Sequence, residues 1–148
     1  MSGRERDDSS GGDGGGPTTR EIAAIRGALN RTLGSCPQVQ AALLYGSAAE
    51  GRPFRDLDIG LIVERGASPP EREIELAMAV EDELQKRSEH RVEVRVVNDA
   101  PPALRYSVTR GVPLVVRSSV ALADFKERTW IEYFDFRPVA LAYLREAG

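Results

Sequence analysis

The sequence is poor in the residues that build disulfides and zinc sites. Its 148 positions hold one cysteine, one histidine and one tryptophan. A single thiol, Cys36, excludes an internal disulfide and reads as a small, partly buried side chain. His90 has no Cys or His near it in sequence, which argues against zinc; it is expected to cap or flank a strand. No apolar run approaches the roughly 18–20 residues that span a bilayer. The N-terminus has no apolar stretch of the secretory kind, so the expected location is the cytoplasm. Charge of one sign is also missing: 20 basic against 23 acidic residues give a net charge of -3. That balance exerts no general pull on nucleic acid or an anionic membrane, and neither is an expected partner. A small nucleotide can still bind where a metal ion supplies positive charge locally.

Hydrophobic residues make up 41% and charged residues 29% of the chain, the balance of an ordinary globular domain. Residues 1 to about 17 hold no large apolar side chain and are dense in Gly, Ser and charge. They are expected to form a disordered tail ahead of one domain over 18–148. Thr18 and Glu21 have the spacing of a capping box. Ile22, Ile25, Leu29 and Leu33 follow at helical spacing, with Gly34 as a stop. VQAALLY (39–45) and LDIGLIV (57–63) read as strands. A helix is predicted from Pro70 to Ser88 with the stripe Ile74, Ala77, Met78, Val80 and Leu84; its ERE and EDELQKR segments read as a solvated face. RVEVRVV (91–97) alternates as a third strand. A short helix ending near Gly111, an edge strand PLVV and a helix from about Val120 to Ala147 complete the order. Pro138 is expected to kink or divide the last helix. Trp130, Tyr133, Phe134 and Phe136 cluster on it, either as core or as a contact surface for a partner. The order implies an α/β or α+β domain with a small mixed sheet and flanking helices.

The chemistry concentrates between residues 43 and 64. In Asp56-Leu57-Asp58 the two carboxylates are two apart on a strand, so they project from one face. Two adjacent carboxylates resist joint ionisation, and a divalent cation removes the conflict. Hard oxygen ligands of this kind suit Mg²⁺, which is usually held by one or two carboxylates and substrate phosphates. Gly46-Ser47 ends the preceding strand. Glycine lets the backbone turn tightly, and a following hydroxyl with free N–H groups can hold phosphate oxygens. Gly51 and Arg52 lie in the same connection and extend that cradle. Glu93 shares a face of the third strand with Arg95 and Val97. Beside the Asp56 strand it can complete a second metal site or accept a proton from an attacking hydroxyl.

These residues resemble a known family. LYGS, Gly51 and DLDIGLIV are similar to the signature of the DNA polymerase β-like nucleotidyltransferases, and among them to the small stand-alone group called minimal nucleotidyltransferases. The similarity extends through VEVRVVNDAPPALRYSVTRGVPLV and DFKERTWIEYFDFRPVALAYL. The resemblance implies a polymerase β-like fold with a helical C-terminus. It implies that Gly46 and Ser47 hold a triphosphate, that Asp56 and Asp58 bind Mg²⁺, as two ions, and that Glu93 stands where the family has a third Asp. The implied activity is transfer of a nucleoside monophosphate, AMP from ATP, to a hydroxyl with release of pyrophosphate. The implied partner is a HEPN-domain toxin, neutralised by adenylylation of a tyrosine, by direct binding, or both.

The pattern departs from the family in three places. Eight residues, not ten, separate Gly-Ser from Asp-x-Asp; Glu50 stands where a basic residue often precedes the glycine aligned with Gly51; and Glu93 replaces Asp, one methylene longer in a site where Mg²⁺ demands near-ideal geometry. Two other readings therefore stay open: an inactive antitoxin or nucleotide-binding module that masks its partner by contact, and a transferase acting on a small molecule.

Overall fold

In the computed structural model of the chain, residues 15–147 are described. The remainder of the expected polar tail lies outside the described residues. Helix α1 (Thr19–Thr32) begins where the capping signal stands, with Thr18 Oγ1 accepting from the Glu21 amide at 3.0 Å. Only half of a capping box forms. The Glu21 carboxylate turns away to accept from Ser88 Oγ at 2.7 Å and from the Glu89 amide at 3.2 Å, and it lies 3.0 Å from His90 Nδ1. Three remote polar groups outcompete one local amide, and the bonds tie α1 to the entry of the third strand. Gly34 falls inside a short 3₁₀ turn (Leu33–Ser35) that closes the helix.

Strands β1 (Val39–Tyr45) and β2 (Asp56–Val63) are antiparallel, and β3 (Arg91–Val96) runs parallel to β2. Helix α2 (Pro70–Gln85) makes the crossover between them. Helix α3 (Pro102–Thr109), strand β4 (Val112–Val116) and helix α4 (Ser119–Ala147) follow. The sheet order is β3-β2-β1-β4, a mixed four-stranded sheet. This is the predicted element order. Helix α4 runs on past Pro138 and is not divided there.

Period-two alternation sorts β2 between two layers. Leu57, Ile59 and Leu61 are fully buried with Ile25, Leu29, Val80 and Leu84 of α1 and α2. The opposite face carries Asp56 and Asp58 at one end. Its other end is apolar, with Ile62 packed against Leu43, Val97, Val108 and Phe125. Burying each large aliphatic side chain contributes roughly 1.5–3 kcal/mol, so the first layer fixes β2 firmly.

Two expectations about α2 need correction. Its buried stripe is Ala77, Val80 and Leu84; Ile74 and Met78 are 63% and 61% exposed. The helix meets the sheet along a narrow line, and those two residues lie beyond it, bordering a groove with Val94 and Val96. Nor is its polar side merely solvated. Gln85 Oε1 accepts from the Val92 amide and Glu81 Oε1 from the Val94 amide, each at 2.9 Å. These bonds cover amides on the outer edge of β3, a standard liability of edge strands.

Buried Arg105 fastens α3 to α4. It donates through Nε to the Ala100 carbonyl at 2.8 Å and pairs with Thr129 and Glu132. The aromatic cluster divides. Tyr133 stacks on Tyr106 with centroids 4.3 Å apart, and Trp130 Nε1 donates to Thr109 Oγ1 at 3.1 Å. Trp130, Ile131 and Phe134 nevertheless remain 43%, 54% and 41% exposed. The Phe136 side chain lies outside the described residues.

Candidate active site

Three strands bring the predicted residues to one face. In the sheet register Asp58 has Tyr45 of β1 on one side and Glu93 of β3 on the other. Asp56 lies one step along β2, opposite Arg91. Leu57, between the two Asp residues, anchors in the opposite core, and this holds the carboxylates out together. Arg95 follows Glu93 on the same face and lies opposite Gly60. A Cβ on Gly60 would stand 3.1 Å from Val97 Cγ1 and 3.5 Å from Tyr45 Cδ1, so the missing side chain leaves room for those two to pack.

Gly46 turns the chain directly beside Asp58. Its φ is 80°, and a Cβ there would stand 2.8 Å from Asp58 Oδ2. Both facts require glycine: the left-handed conformation and the carboxylate against the backbone. The chain then coils tightly. The amides of Ala49 and Glu50 donate to the Gly46 carbonyl at 3.1 Å, and the Arg52 amide to the Ser47 carbonyl at 3.1 Å. Gly51 reverses the coil with φ 75°. The amides of Ser47 and Ala48 and the Ser47 hydroxyl have no acceptor or donor among the described residues. They form the free end of a helical turn next to Asp58, a geometry suited to phosphate oxygens.

The electrostatics follow from this crowding. Burial raises the Asp58 carboxyl above its ordinary range, and Glu93 and Asp56 raise it further, while Arg95 opposes them. Burial also pushes the Tyr45 phenol up to about 12, with Arg95 acting against the shift and Asp58 and Glu93 adding to it. Such a cluster is short of positive charge.

The structure brings Asp56, Asp58 and Glu93 to one face but not to one point. Among the described residues no three Asp, Glu, His or Cys side chains form a group that could hold a metal ion. Glu93 leans toward Arg91, with Oε2 at 3.6 Å from its guanidinium. Two neighbouring hard carboxylates still fit Mg²⁺ when phosphates complete its shell. Arg52 is also engaged: its Nε and one terminal nitrogen donate to Glu50 Oε1 at 3.2 and 3.0 Å. Glu50 thus occupies the loop's own cation.

Sequence reasoning passed over Tyr45, Arg95 and Phe54. The alternation of RVEVRVV already put Arg95 beside Glu93, and Tyr45 directly precedes Gly46. Phe54 carried no such signal. It packs against the α1–α2 core and its ring lies 4.7 Å from His90, which ties the Gly46–Asp56 connection to the Glu21 bonds.

The family described as Polymerase beta, Nucleotidyltransferase matches residues 28–119, well over half of the chain. No curated protein matches the sequence at a significant level. Among solved structures, the chain resembles one from the complex of tri-AMPylated Shewanella oneidensis HEPN toxin with MNT antitoxin. The TM-score is 0.62 at 18% identity, over 85% of this chain and 98% of that one. A toxin-antitoxin structure with AMP-PNP gives 0.62 at 20% identity, over 82% and 97%. The toxin-antitoxin MntA-HepT gives 0.60 at 17% identity, over 84% and 97%. At these identities the likeness is one of fold.

Proposed function

The chain belongs to the polymerase β nucleotidyltransferase family, and from that premise we propose that it is an antitoxin that transfers AMP from ATP to a hydroxyl of a HEPN-type toxin, a tyrosine in particular. The observation that carries this reading is the register itself: Asp58 between Tyr45 and Glu93, with Gly46 closed against its carboxylate. The partner is suggested by one similar structure, in which an MNT antitoxin accompanies a tri-AMPylated HEPN toxin. The nucleotide follows from the one with AMP-PNP. The outward Trp130, Ile131 and Phe134 of α4 offer an apolar surface for such a partner. Both assignments set the protein in the cytoplasm. Among the described residues no helix is long and apolar enough to cross a membrane.

Asp56 and Asp58 would hold Mg²⁺, as a pair of ions, which would supply positive charge to offset that developing on the phosphates. The amides of Ser47 and Ala48 and the Ser47 hydroxyl receive the terminal phosphates and orient the leaving group. Glu93 takes the proton of the acceptor hydroxyl. The acceptor oxygen bonds to the α-phosphorus as its bond to the bridging oxygen breaks, and pyrophosphate leaves. The chain's own contribution is therefore positioning and charge.

Incubation of the purified pair with labelled ATP and Mg²⁺ tests the reading. Label on the toxin that disappears in the Asp56→Ala, Asp58→Ala double variant is the expected result. A second reading rests on the Glu50–Arg52 and Arg91–Glu93 pairs, which occupy groups that catalysis uses: neutralisation by contact alone. Neutralisation that survives the double variant, with no label transferred, decides for it.

A further inference from the structure

The phosphates of a nucleoside triphosphate bring roughly four negative charges to a face that already carries Asp56, Asp58 and Glu93. Bound cations answer most of this, and basic side chains near the carboxylates are the remaining source of positive charge. Here Arg52, the basic residue beside Gly51, gives two N–H bonds to Glu50. Arg91, at the start of β3, rests on Glu93 at 3.6 Å. Arg55, in the connection before Asp56, and Arg95 differ: both are exposed and neither has an ion-pair or hydrogen-bond partner among the described residues, but Arg95 alone stands on β3, where alternation puts it on the carboxylate face. Its neighbour across the register is Gly60, over which Val97 and Tyr45 pack, so no β2 side chain stands beside Arg95 at that step. It also lines the open cleft of about 550 Å³ beside β3, together with Arg91, Glu93, Asp99 and, from α2, Glu73 and Glu81. Its charge already acts on Asp58 and on Tyr45.

We propose that Arg95 is a phosphate-binding residue of this site, supplying from β3 the guanidinium that the Gly46–Arg52 loop spends on Glu50. This rests on the nucleotidyltransferase reading and adds a residue to it. A planar guanidinium with a fork of donors matches phosphate oxygens in pairs, and a cation already among the carboxylates needs little reorganisation to meet them. The same charge opposes the metal when no nucleotide is present. Removing it must therefore weaken binding of the nucleotide without weakening that of the metal alone.

The test uses the full chain with Arg95→Gln and Arg95→Lys, read by calorimetry with a non-hydrolysable ATP analogue plus Mg²⁺ and, separately, with Mn²⁺ alone. In Arg95→Gln the analogue is expected to bind at least tenfold more weakly. Mn²⁺ alone binds as tightly as before or more tightly, and the melting temperature holds. Arg95→Lys recovers part of the analogue affinity, since it keeps the charge and loses the fork. An analogue affinity in Arg95→Gln within twofold of the unaltered chain overturns the proposal. So does a parallel loss of analogue and Mn²⁺, which marks a structural defect. An Asp56→Asn, Asp58→Asn chain run alongside separates the two levels. If it binds analogue and Mn²⁺ like the unaltered chain, the proposed function fails, whatever Arg95 does. An unaltered chain that binds no analogue removes both.

Discussion

Two carboxylates, Glu21 and Asp58, occupy two regions of the molecule, and burial alone pushes both upward. They end on opposite sides of the ordinary carboxylate range. At the junction of α1 and β3, the hydrogen bonds from Ser88 and His90, the charge of His90 and the Glu89 amide more than offset burial and hold Glu21 down. On the face of β2 and β3, Glu93 and Asp56 add to burial and hold Asp58 up. The first region has met its polar needs within the fold; the second has left them for something outside it. An acid surrounded by acids costs stability when ionised, and a bound cation would relieve that repulsion.

The largest predicted effect breaks the second region. Replacing Asp56 and Asp58 together by Ala should remove several kcal/mol of transition-state stabilisation, a loss on the order of a thousandfold or more in transfer rate. The melting temperature of the metal-free protein should hold or rise, because repulsion disappears. A large fall in melting temperature would show that the pair also supports the fold and would erase the contrast with Glu21.

The next effect breaks the first region. Glu21→Ala leaves the Glu89 amide and His90 Nδ1 without their acceptor in a half-buried place, while Ser88 Oγ keeps the His90 carbonyl at 2.9 Å; a cost of about 1–2 kcal/mol is expected in urea unfolding at neutral pH. The linkage sign follows from the lowered carboxyl. Stability from Glu21 is complete above the ordinary Glu range and is lost as pH falls below it. The variant and the parent should therefore converge in acid. Transfer activity should survive wherever the variant stays folded, apart from what reaches the Gly46–Asp56 connection through Phe54 and His90.

The sequence disclosed these two regions unequally. Asp56 and Asp58 were legible because alternation is local: whatever β2 pairs with, residues two apart share a face. Gly46 was legible for the same kind of reason, as a turn after an apolar run. The bond set of Glu21 was not. A Glu three residues after a helix-capping Thr predicts a local partner, and only the tertiary fold brings Ser88, Glu89 and His90 within reach. Ile74 and Met78 failed differently. Helical spacing marked them as apolar, but the width of the contact with the sheet decides how many of a stripe are covered. The pairing of Arg52 with Glu50 was half visible, since an acid two residues from a base suggests it and loop geometry settles it.

An effect of similar size probes where the second region meets its loop. Gly46→Ala forces a side chain into left-handed backbone and sets its Cβ about where Asp58 Oδ2 now lies, at 2.8 Å. A cost of about 1–2 kcal/mol in stability is expected. Nucleotide affinity should fall by more than that cost explains, because the same displacement moves both Asp58 and the Ser47 amide. Equal losses in both would mean that the loop and the carboxylate act independently.

The smallest effect bears on the comparison most directly. Asp58 has its carboxyl raised, so the linkage runs opposite to that of Glu21: its ionised form costs stability at neutral pH, and the cost is relieved as pH falls toward the raised value. Asp58→Asn removes the charge and keeps the shape. The metal-free variant should melt slightly higher than the parent at pH 7.5, and the gap should close on acidification. Saturating Mg²⁺ with a nucleotide analogue should reverse the order, since the parent alone gains the bound ligands. Thermal melts at two pH values, with and without ligand, measure both halves. A variant that melts lower than the metal-free parent at pH 7.5 would show that Asp58, like Glu21, already has its partners inside the fold.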